Sequence, residues 1–365
     1  MRILYCIPSM LGGGAERQLT YLSKELSSAG ADVHVALIYS GTNSARLEES
    51  GATIHALKCS GNHDPRLFFS LRKLIRSIHP DLIQTWLTQM DIIGGFAAIT
   101  LRTPFVLSER NSTLSYTGTW KDRLRRFVGC RANLIVANSD AGQAYWRSNG
   151  ASALSTKVIR NAIPFDVIEA VSPDHARDLK DNPDSELAVF AGRFCKQKNL
   201  SQLMAALDIV LRERKRCIAL LFGKGPLRQE LEDLKNRSDH SDRLRILGFS
   251  DMLWSILKLA NVFVSVSLFE GIPNTVLEAV ACRCPVVVSD IGEHREFLDD
   301  CSAIFVPTSS PEKIAAGIIE SLSDTSAAAA RTDAAYRIIS QWSPSNIAAQ
   351  YLEMYRKIIS EHAHN

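Results

Sequence analysis

Residues 3–26 have the sequence ILYCIPSMLGGGAERQLTYLSKEL, in which a short apolar run is followed by three glycines and an amphipathic segment. The apolar run, Ile3 to Ile7, predicts a buried strand, and a helical pattern begins near Ala15. A glycine-rich turn between a strand and a helix lets backbone N–H groups approach an anion closely. The spacing is neither GxGxxG nor a Walker loop, so the turn alone leaves a phosphate site and an ordinary tight turn both open.

The same alternation of apolar runs and helical segments continues along the chain, and it is typical of parallel strands joined by crossover helices. The strands predicted in the first half are Ile3–Ile7, Val33–Ile38, Thr53–Leu57, Leu82–Thr85, Phe105–Ser108, Leu134–Ala137 and Lys157–Arg160. Those predicted in the second half are Leu187–Ala191, Ile218–Phe222, Leu244–Leu247, Val262–Val266, Pro285–Ser289 and Ala303–Val306. Residues 162–185 carry three prolines and little periodicity, which indicates a linker.

These patterns predict an α/β protein with two doubly wound, Rossmann-like domains, each with its ligand crevice at the carboxyl ends of its strands. The expected domains are residues 1–170 and 171–343. A terminal helix, expected over residues 344–365, would pack back on the N-terminal domain. The active site is expected in a cleft between the two domains.

Composition excludes several classes of protein. The 365 residues are 46% hydrophobic and 22% charged, with 42 basic and 39 acidic side chains and a net charge of +3, which argues against collagen, long disorder and coiled coil. No apolar stretch is long enough to cross a bilayer. The start of the chain resembles a strand and not a secretory leader, so a cytoplasmic protein with eight reduced cysteines is expected. No nucleic-acid partner is expected.

Two amphipathic segments, Arg66 to Arg76 and Trp120 to Arg131, carry much of the basic charge of the first half. Each is either a solvated helix face or a contact for anionic lipid headgroups or a phosphorylated acceptor. The second interpretation predicts peripheral association with the inner face of an anionic membrane.

In the second half, Arg193 and Lys198 follow a predicted strand and precede a predicted helix. Two cations at the carboxyl end of a strand suit a diphosphate, although surface charges at a helix start are the alternative. Gly223 follows the next strand in a loop that admits close backbone approach, or that forms a plain turn. Gly248 and Phe249 are candidates for flanking a nucleotide base, with the same alternative.

The most specific segment is SLFEGIPNTVLEA, residues 267–279. Its proline places the helix start near Thr275, so that Glu270 lies on the loop and Glu278 about one turn into the helix. One carboxylate suits sugar hydroxyls and the other a ribose diol, and free amides of the first turn suit phosphates; the residues concerned are Asn274, Thr275 and Val276. A capping box from Thr275 to Glu278 is the competing interpretation.

With these residues in place, the sequence resembles the family 4 glycosyltransferases, retaining enzymes of the GT-B fold that build bacterial surface polysaccharides. The resemblance is carried by motifs in order along most of the chain: GGGAER, ANSDAG, VIRNAIPFD, AGRFCKQKN, FGKGP, LGFSDM and the Glu270-to-Glu278 segment with the following EAVACRCPVVVSDIGEHREF.

The resemblance implies roles for particular residues. Arg193 and Lys198 would hold the donor phosphates, Glu278 the ribose, and Glu270 the hydroxyls of the transferred sugar. Other donor contacts would come from backbone or side chains at Gly13, Gly14, Asn161, Gly223 and Gly248.

Three departures from the family pattern concern the site. The histidine common after the fifth strand is replaced by Ser108-Glu109-Arg110-Asn111, which makes Glu109, Arg110 and Asn111 candidates for contact with a sugar. A Gly-Gly pair is replaced by Gly292-Glu293, and an Asn-Gly pair by Asn161-Ala162. Trp86, at the end of the fourth strand, is either a platform for an acceptor sugar or an ordinary packed residue.

The implied function is transfer of a hexose or N-acetylhexosamine from a nucleotide-sugar, UDP being the favoured carrier, to a lipid-linked or polysaccharide acceptor. No DxD pair suggests a metal and no cofactor is expected. The alternatives are a UDP-sugar 2-epimerase and a nucleotide-sugar-binding regulator without turnover. An NAD dehydrogenase is disfavoured, since no GxGxxG follows a strand.

Overall fold

The computed structural model describes residues 1–59, 64–111, 114, 116 and 118–363. It forms two compact units. The first comprises Met1–Ala162 with Trp342–Asn365, and the second comprises Ile163–Gln341. The chain thus leaves the first unit once, builds the second, and returns to complete the first.

A seven-stranded parallel sheet forms the centre of the first unit, with strand order β3-β2-β1-β4-β5-β6-β7. Its strands are β1 (Arg2–Cys6), β2 (Asp32–Leu37), β3 (Thr53–Ala56), β4 (Leu82–Trp86), β5 (Phe105–Glu109), β6 (Leu134–Ala137) and β7 (Thr156–Val158). The order reverses between β1 and β4, the switch point at which doubly wound sheets open a ligand crevice. All seven strands predicted for this half are confirmed.

Among the described residues, six helices connect these strands: α1 (Gly14–Ser28), α2 (Ser44–Glu48), α3 (Arg66–Ile78), α4 (Leu87–Leu101), α5 (Trp120–Gly129) and α6 (Asp140–Ser148). A 3₁₀ turn, Ala153–Ser155, precedes β7. Helix α5 begins with a capping box, in which the Thr119 hydroxyl accepts from the Asp122 amide and the Asp122 carboxylate accepts from the Thr119 amide. The core under α3 and α4 is apolar and includes Leu71, Ile75 and Ile83.

The second unit contains a six-stranded parallel sheet with strand order β10-β9-β8-β11-β12-β13. Its strands are β8 (Glu186–Ala191), β9 (Cys217–Phe222), β10 (Leu244–Leu247), β11 (Val262–Ser265), β12 (Val286–Ser289) and β13 (Ile304–Val306). Its helices are α7 (Phe165–Ala170), α8 (Leu200–Glu213), α9 (Arg228–Asn236), α10 (Leu253–Leu259), α11 (Asn274–Ala281), α12 (Gly292–Arg295), α13 (Pro311–Ser323) and α14 (Thr325–Ile339). The order is that of a Rossmann sheet, so the prediction of two doubly wound domains is confirmed.

The segment interpreted as a linker is folded against the second unit. It contains α7 and a 3₁₀ helix over Pro173–Leu179. The Lys258 ammonium donates to the carbonyls of Glu169 and Val171, and the Arg245 guanidinium donates to the Leu179 carbonyl. These short elements lack the length that hydrophobic periodicity needs, which is why the sequence pattern did not show them.

Helix α15 (Pro344–Ala363) completes the first unit, as predicted, and packs against α1. Its Tyr355 hydroxyl donates to the Gln84 side-chain carbonyl and lies 3.1 Å from the Tyr5 hydroxyl. Gln84 in turn donates to Ser108 at 2.6 Å, and all four groups are buried. Because buried polar groups are costly without partners, this network fixes where the helix docks on the sheet.

Among the described residues, no helix combines the length and apolar character needed to span a bilayer. All eight cysteines are free thiols, as expected, and Cys6, Cys217, Cys282 and Cys284 are buried. Burial raises the pKa of Cys6 to about 12, so this thiol stays protonated.

Candidate functional site

The carboxyl edge of the second sheet brings a cation and a carboxylate together. Lys198 ends a 3₁₀ turn after β8, and Glu270 lies on the loop after β11. The Lys198 ammonium donates to the Glu270 carboxylate, with 12% and 8% of the two side chains exposed. This contact joins residues 72 positions apart, and it neutralises both charges at the edge where doubly wound sheets bind ligands.

Gln197 connects the pair to its surroundings, and the sequence analysis did not identify it. Its amide nitrogen donates to the Phe269 carbonyl at 2.8 Å and to Glu270 at 3.3 Å. Its amide oxygen accepts from Arg193 at 3.3 Å, while the Arg193 side chain remains exposed. Arg193, Gln197, Lys198 and Glu270 therefore form one hydrogen-bonded group, with the exposed guanidinium at its outer end.

The helix after Glu270 begins one residue earlier than predicted. Helix α11 starts at Asn274 with Pro273 as its N-cap residue, so Thr275 lies in the first turn and is not an N-cap. The capping-box interpretation is therefore wrong. The Val276 amide was also expected to be free, but it donates to the Pro273 carbonyl at 3.0 Å. The amides of Asn274 and Thr275 lie at the positive end of the helix.

Glu278 lies on α11, four residues into the helix, and is 7% exposed. Glu270 is 6% exposed on the preceding loop. The two carboxylates come from adjacent elements that meet at one edge of the sheet, as the sequence predicted.

A second carboxylate approaches Glu270 where the family pattern has glycine. Glu293, in the first turn of α12, accepts from the Glu270 amide at 3.4 Å. Burial is the largest cause that raises the pKa of the Glu293 carboxyl, and the Glu270 charge adds to it. The Gly292-Glu293 departure in the sequence was the signal for this contact.

His294 is completely buried beside this loop. Its Nδ1 donates to the Ser289 carbonyl at 2.8 Å, and the Ser289 hydroxyl donates to the Ser267 carbonyl at 2.7 Å. Burial lowers the pKa of His294, which favours the neutral imidazole. The histidine therefore ties β12 and α12 together without adding charge to the carboxylates.

The loop after β9 depends on glycine where it approaches the loop after β8. A Cβ at Gly223 would lie 1.9 Å from the Gly192 carbonyl, so only glycine lets these two loops approach. The Gly223 amide itself donates to the Gly248 carbonyl at 3.2 Å and is not free to hold a phosphate. Gly248 faces open space, and Phe249 beside it is 58% exposed.

In the first unit, Gly13 and Gly14 form the start of α1 as the pattern predicted. Gly13 is the N-cap residue, and its carbonyl accepts from the Arg17 amide at 3.2 Å. A Cβ at Gly13 would lie 2.2 Å from a carboxylate oxygen of Glu16. The glycine thus allows the Glu16 side chain to fold back over the first turn of the helix.

Arg110 is held on three sides. Its guanidinium lies 4.3 Å from the centre of the Trp86 ring, and it donates at 2.8 Å to both Asn161 and Tyr351. Trp86 is completely buried, so it does not present a ring face to an acceptor sugar, and Asn161 is 2% exposed. Trp86 therefore packs against Arg110, and Asn161 accepts its hydrogen bond, while the predicted donor contact of Asn161 stays a prediction.

Glu109 is also buried and fully engaged. Its carboxylate accepts from Arg125 and from the Trp146 indole, each at 2.8 Å, and from the Tyr116 hydroxyl. The predicted contact between Glu109 and a sugar is therefore not supported. The backbone N–H of Asn111 donates to the Glu109 carboxylate at 2.8 Å, and this hydrogen bond fixes the turn that carries Arg110.

Arg125 joins two carboxylates inside the first unit. Besides Glu109, it donates to Asp91 at 2.7 Å, and Asp91 accepts from Thr85 at 2.8 Å. Burial raises the pKa of Asp91 to about 6, although the neighbouring guanidinium favours its ionised form. No local sequence pattern indicated this three-residue cluster.

Each half of the chain matches a known family of glycosyltransferases. Residues 171–338 match the family described as "Glycosyl transferases group 1", and residues 12–167 match "Glycosyltransferase Family 4". A glycosyltransferase of Methanocaldococcus jannaschii is 25% identical over 61% of this chain, which spans only 58% of that protein. A diphospho-undecaprenol N-acetylgalactosaminyltransferase of Campylobacter jejuni is 25% identical over 87% of this chain and 89% of its own length.

The structure resembles that of Anabaena HepE, solved in complex with UDP and glucose, with a TM-score of 0.87. The two chains are 22% identical, and the match covers 98% of this chain and all of the other. The expected GT-B class of α/β fold is thereby confirmed. The two family matches together span most of the sequence, and the chain belongs to the family 4 glycosyltransferases.

Proposed function

We propose that this protein transfers a hexose or N-acetylhexosamine from a UDP-sugar to a lipid-linked or polysaccharide acceptor with retention of anomeric configuration. The observation that carries the proposal is the Lys198–Glu270 pair at the carboxyl edge of the second sheet, beside the positive end of α11. The names of two relatives support it, since HepE was solved with UDP-glucose and the Campylobacter relative acts on a diphospho-undecaprenol.

In the donor complex, Lys198 and Arg193 bind the diphosphate, and the start of α11 adds partial positive charge. Glu270, released from part of its contact with Lys198, accepts hydrogen bonds from sugar hydroxyls. Glu278 binds the ribose diol, and the Gly248 loop with the exposed Phe249 contacts the base. The nucleotide-sugar is a substrate, and no cofactor takes part.

For the chemical step, we favour attack on the same face of the sugar from which the diphosphate departs. The leaving diphosphate oxygen takes the proton of the acceptor hydroxyl as the new glycosidic bond forms. Lys198 and Arg193 stabilise the negative charge that develops on that oxygen. Turnover is proposed to be independent of a metal ion, so an excess of EDTA should leave the rate unchanged.

The first unit is proposed to bind the acceptor, with Arg110 and Asn111 as candidates for sugar contact. Helices α3 and α5 expose Phe69, Trp120 and Phe127 among basic side chains. Such surfaces favour an anionic interface. We therefore propose a cytoplasmic protein that contacts the inner face of the membrane peripherally.

The test is incubation of the purified protein with UDP-sugars, with and without a diphosphate-linked glycan acceptor. Acceptor-dependent UDP release and an α-linked product in the NMR spectrum would support the proposal. A new sugar nucleotide without UDP release would identify an epimerase instead. Binding of UDP-sugar with neither product would identify a regulator.

A further inference from the structure

An apolar groove lies in the first unit. Its volume is about 360 Å³. The walls come from the first turns of three neighbouring helices, and the side chains that define them are Phe68, Ile92, Ile93, Trp120, Lys121 and Leu124. Trp120 is 66% exposed at the mouth, and Lys121 is half-buried beside it.

The groove opens at the functional edge of the sheet. Helices α3, α4 and α5 each follow a parallel strand, β3, β4 and β5 respectively, so all three begin at the carboxyl edge of that sheet. The helical lining residues lie in the first two turns of their helices, and Asp64 and Pro65 immediately precede α3. Doubly wound sheets bind substrates at this edge. The groove therefore runs from the substrate edge along the outer layer of helices.

The groove is built on a rigid base. Beneath it, the Arg125 guanidinium on α5 donates to the Asp91 carboxylate on α4 at 2.7 Å, and both side chains are almost completely buried. Ile92 and Leu124 are the chain neighbours of these two residues. Because the ion pair ties α4 to α5, it fixes the separation of two of the three walls.

The size and charge of the groove limit what fits. A single hydrocarbon chain fits. On α5, Lys121, Arg123 and Arg126 outnumber the one acidic residue of the helix, Asp122, which is engaged in the capping box. The acidic residue that lines the groove, Asp64, is paired with Arg66. A ligand with an anionic head and an apolar tail is complementary to both features.

We propose that this groove binds the first isoprenoid units of a polyprenyl-diphosphate acceptor, with the diphosphate held near Lys121. The inference rests on the proposed function, which supplies an acceptor of this class. Apolar contact along the chain contributes binding free energy in proportion to the area buried. The groove thereby selects acceptors by their lipid as well as by their sugar.

The test measures binding without turnover, with Trp120 fluorescence as the reporter. The ligands are inorganic diphosphate, geranyl diphosphate and geranylgeranyl diphosphate, all below their aggregation concentrations. We expect the Kd for geranyl diphosphate to be at least tenfold lower than for inorganic diphosphate, because ten carbons leave water. Leu124→Ser and Phe68→Ser should remove most of this gain and leave the Kd for inorganic diphosphate unchanged. Phe69→Ser, which alters an exposed neighbour outside the groove, is the matched control.

A Kd that does not depend on the hydrocarbon chain would overturn the inference. So would a loss of binding to vesicles of anionic phospholipid in Leu124→Ser with unchanged binding of geranylgeranyl diphosphate, since the groove would then be a membrane contact. Far-UV circular dichroism of each variant confirms that it is folded. Failure of the proposed transferase activity is a separate result, because it appears as absent UDP release while these binding constants remain measurable.

Discussion

The guanidinium of Arg110 lies 4.3 Å from the centre of the Trp86 ring, and this contact fixes the orientation of both side chains. The neutral indole presents an electron-rich ring face, and the guanidinium covers that face. Tyr351 of α15 completes the support by accepting a hydrogen bond from the same guanidinium at 2.8 Å. The turn after β5 is therefore held in position by a helix from the far end of the sequence.

Replacing Tyr351 with phenylalanine should weaken this support without creating a cavity. The variant loses a hydrogen bond to a charged group, so we expect the free energy of unfolding to fall by about 1.5–3 kcal/mol. Urea denaturation followed by circular dichroism measures the change. Lys357→Ala, an exposed substitution on the same helix, should change stability by less than about 0.5 kcal/mol. Equal stability of Tyr351→Phe and the wild type would contradict the assigned contact.

Arg125→Met should destabilise the first unit severely. The substitution leaves Asp91 and Glu109 buried without their cation, and breaking a buried ion pair in this way costs about 3–5 kcal/mol. Thermal unfolding should show the loss in the transition of the first unit. Arg123→Ala removes an exposed cation two residues away and serves as the control. If both variants melt at the same temperature, the cluster contributes no stability.

Asp91 should give the protein a measurable pH dependence. Its pKa in the folded protein, about 6, lies above that of the unfolded chain, so the native state binds the extra proton. The stabilisation from this group is present near pH 4 and is lost as the pH rises through 6. The difference in unfolding free energy between the wild type and Asp91→Asn should therefore be larger at about pH 4 than at about pH 7, by roughly 1–3 kcal/mol.

Chemical denaturation at the two pH values measures this difference. Asp251→Asn, an exposed change in the second unit, controls for general effects of acid. If Asp91→Asn lowered the free energy of unfolding more at neutral pH than at about pH 4, the carboxyl would be ionised throughout this range.

Lys198→Ala should weaken binding of UDP and slow transfer together. Loss of one charge-assisted contact to the diphosphate corresponds to a decrease of roughly 10- to 100-fold in kcat/KM. Glu270→Gln keeps a hydrogen-bonding group of similar size, and it should lower kcat/KM while leaving the UDP affinity nearly unchanged. Thermal shift with UDP alone and a coupled assay of UDP release separate these two effects. Lys196→Ala, an exposed cation in the same 3₁₀ turn, should stay within about twofold of the wild type.

If Lys198→Ala bound UDP as tightly as the wild type, Lys198 would not contact the diphosphate. In that case its ion pair with Glu270 would be a purely structural contact of the two loops.

The thirteen strands followed from the sequence because buried parallel strands are continuous apolar runs between recognisable turns. The start of α11 was predicted to within one residue, since proline is restrictive near a helix start. Glu270 and Lys198 were identified as site residues on motif grounds. Their direct contact was not, because it joins residues 72 positions apart that share no local pattern.

The errors have a common physical cause. Trp86 ends a strand that is covered on both faces, so alternation along the strand gives no sign of which side chains reach solvent. Glu109 is buried because its carboxylate accepts a hydrogen bond from Arg125. No sequence pattern indicated that Arg125, on the helix after this turn, would reach it. Gln197 was overlooked between two lysines because an amide carries no charge signal.

The return of the chain to its first unit has a consequence for synthesis on the ribosome. Residues 163–341 emerge before the segment from residue 342 onward that contains α15, so the second unit is free to fold while the first still lacks its last helix. Until Tyr355 has been synthesised, Gln84 and Tyr5 lack the partner that they have in the folded protein. The nascent first unit then exposes the surface that α15 will cover. A chaperone that binds apolar surfaces would therefore find its target in this protein at the amino-terminal half, late in translation.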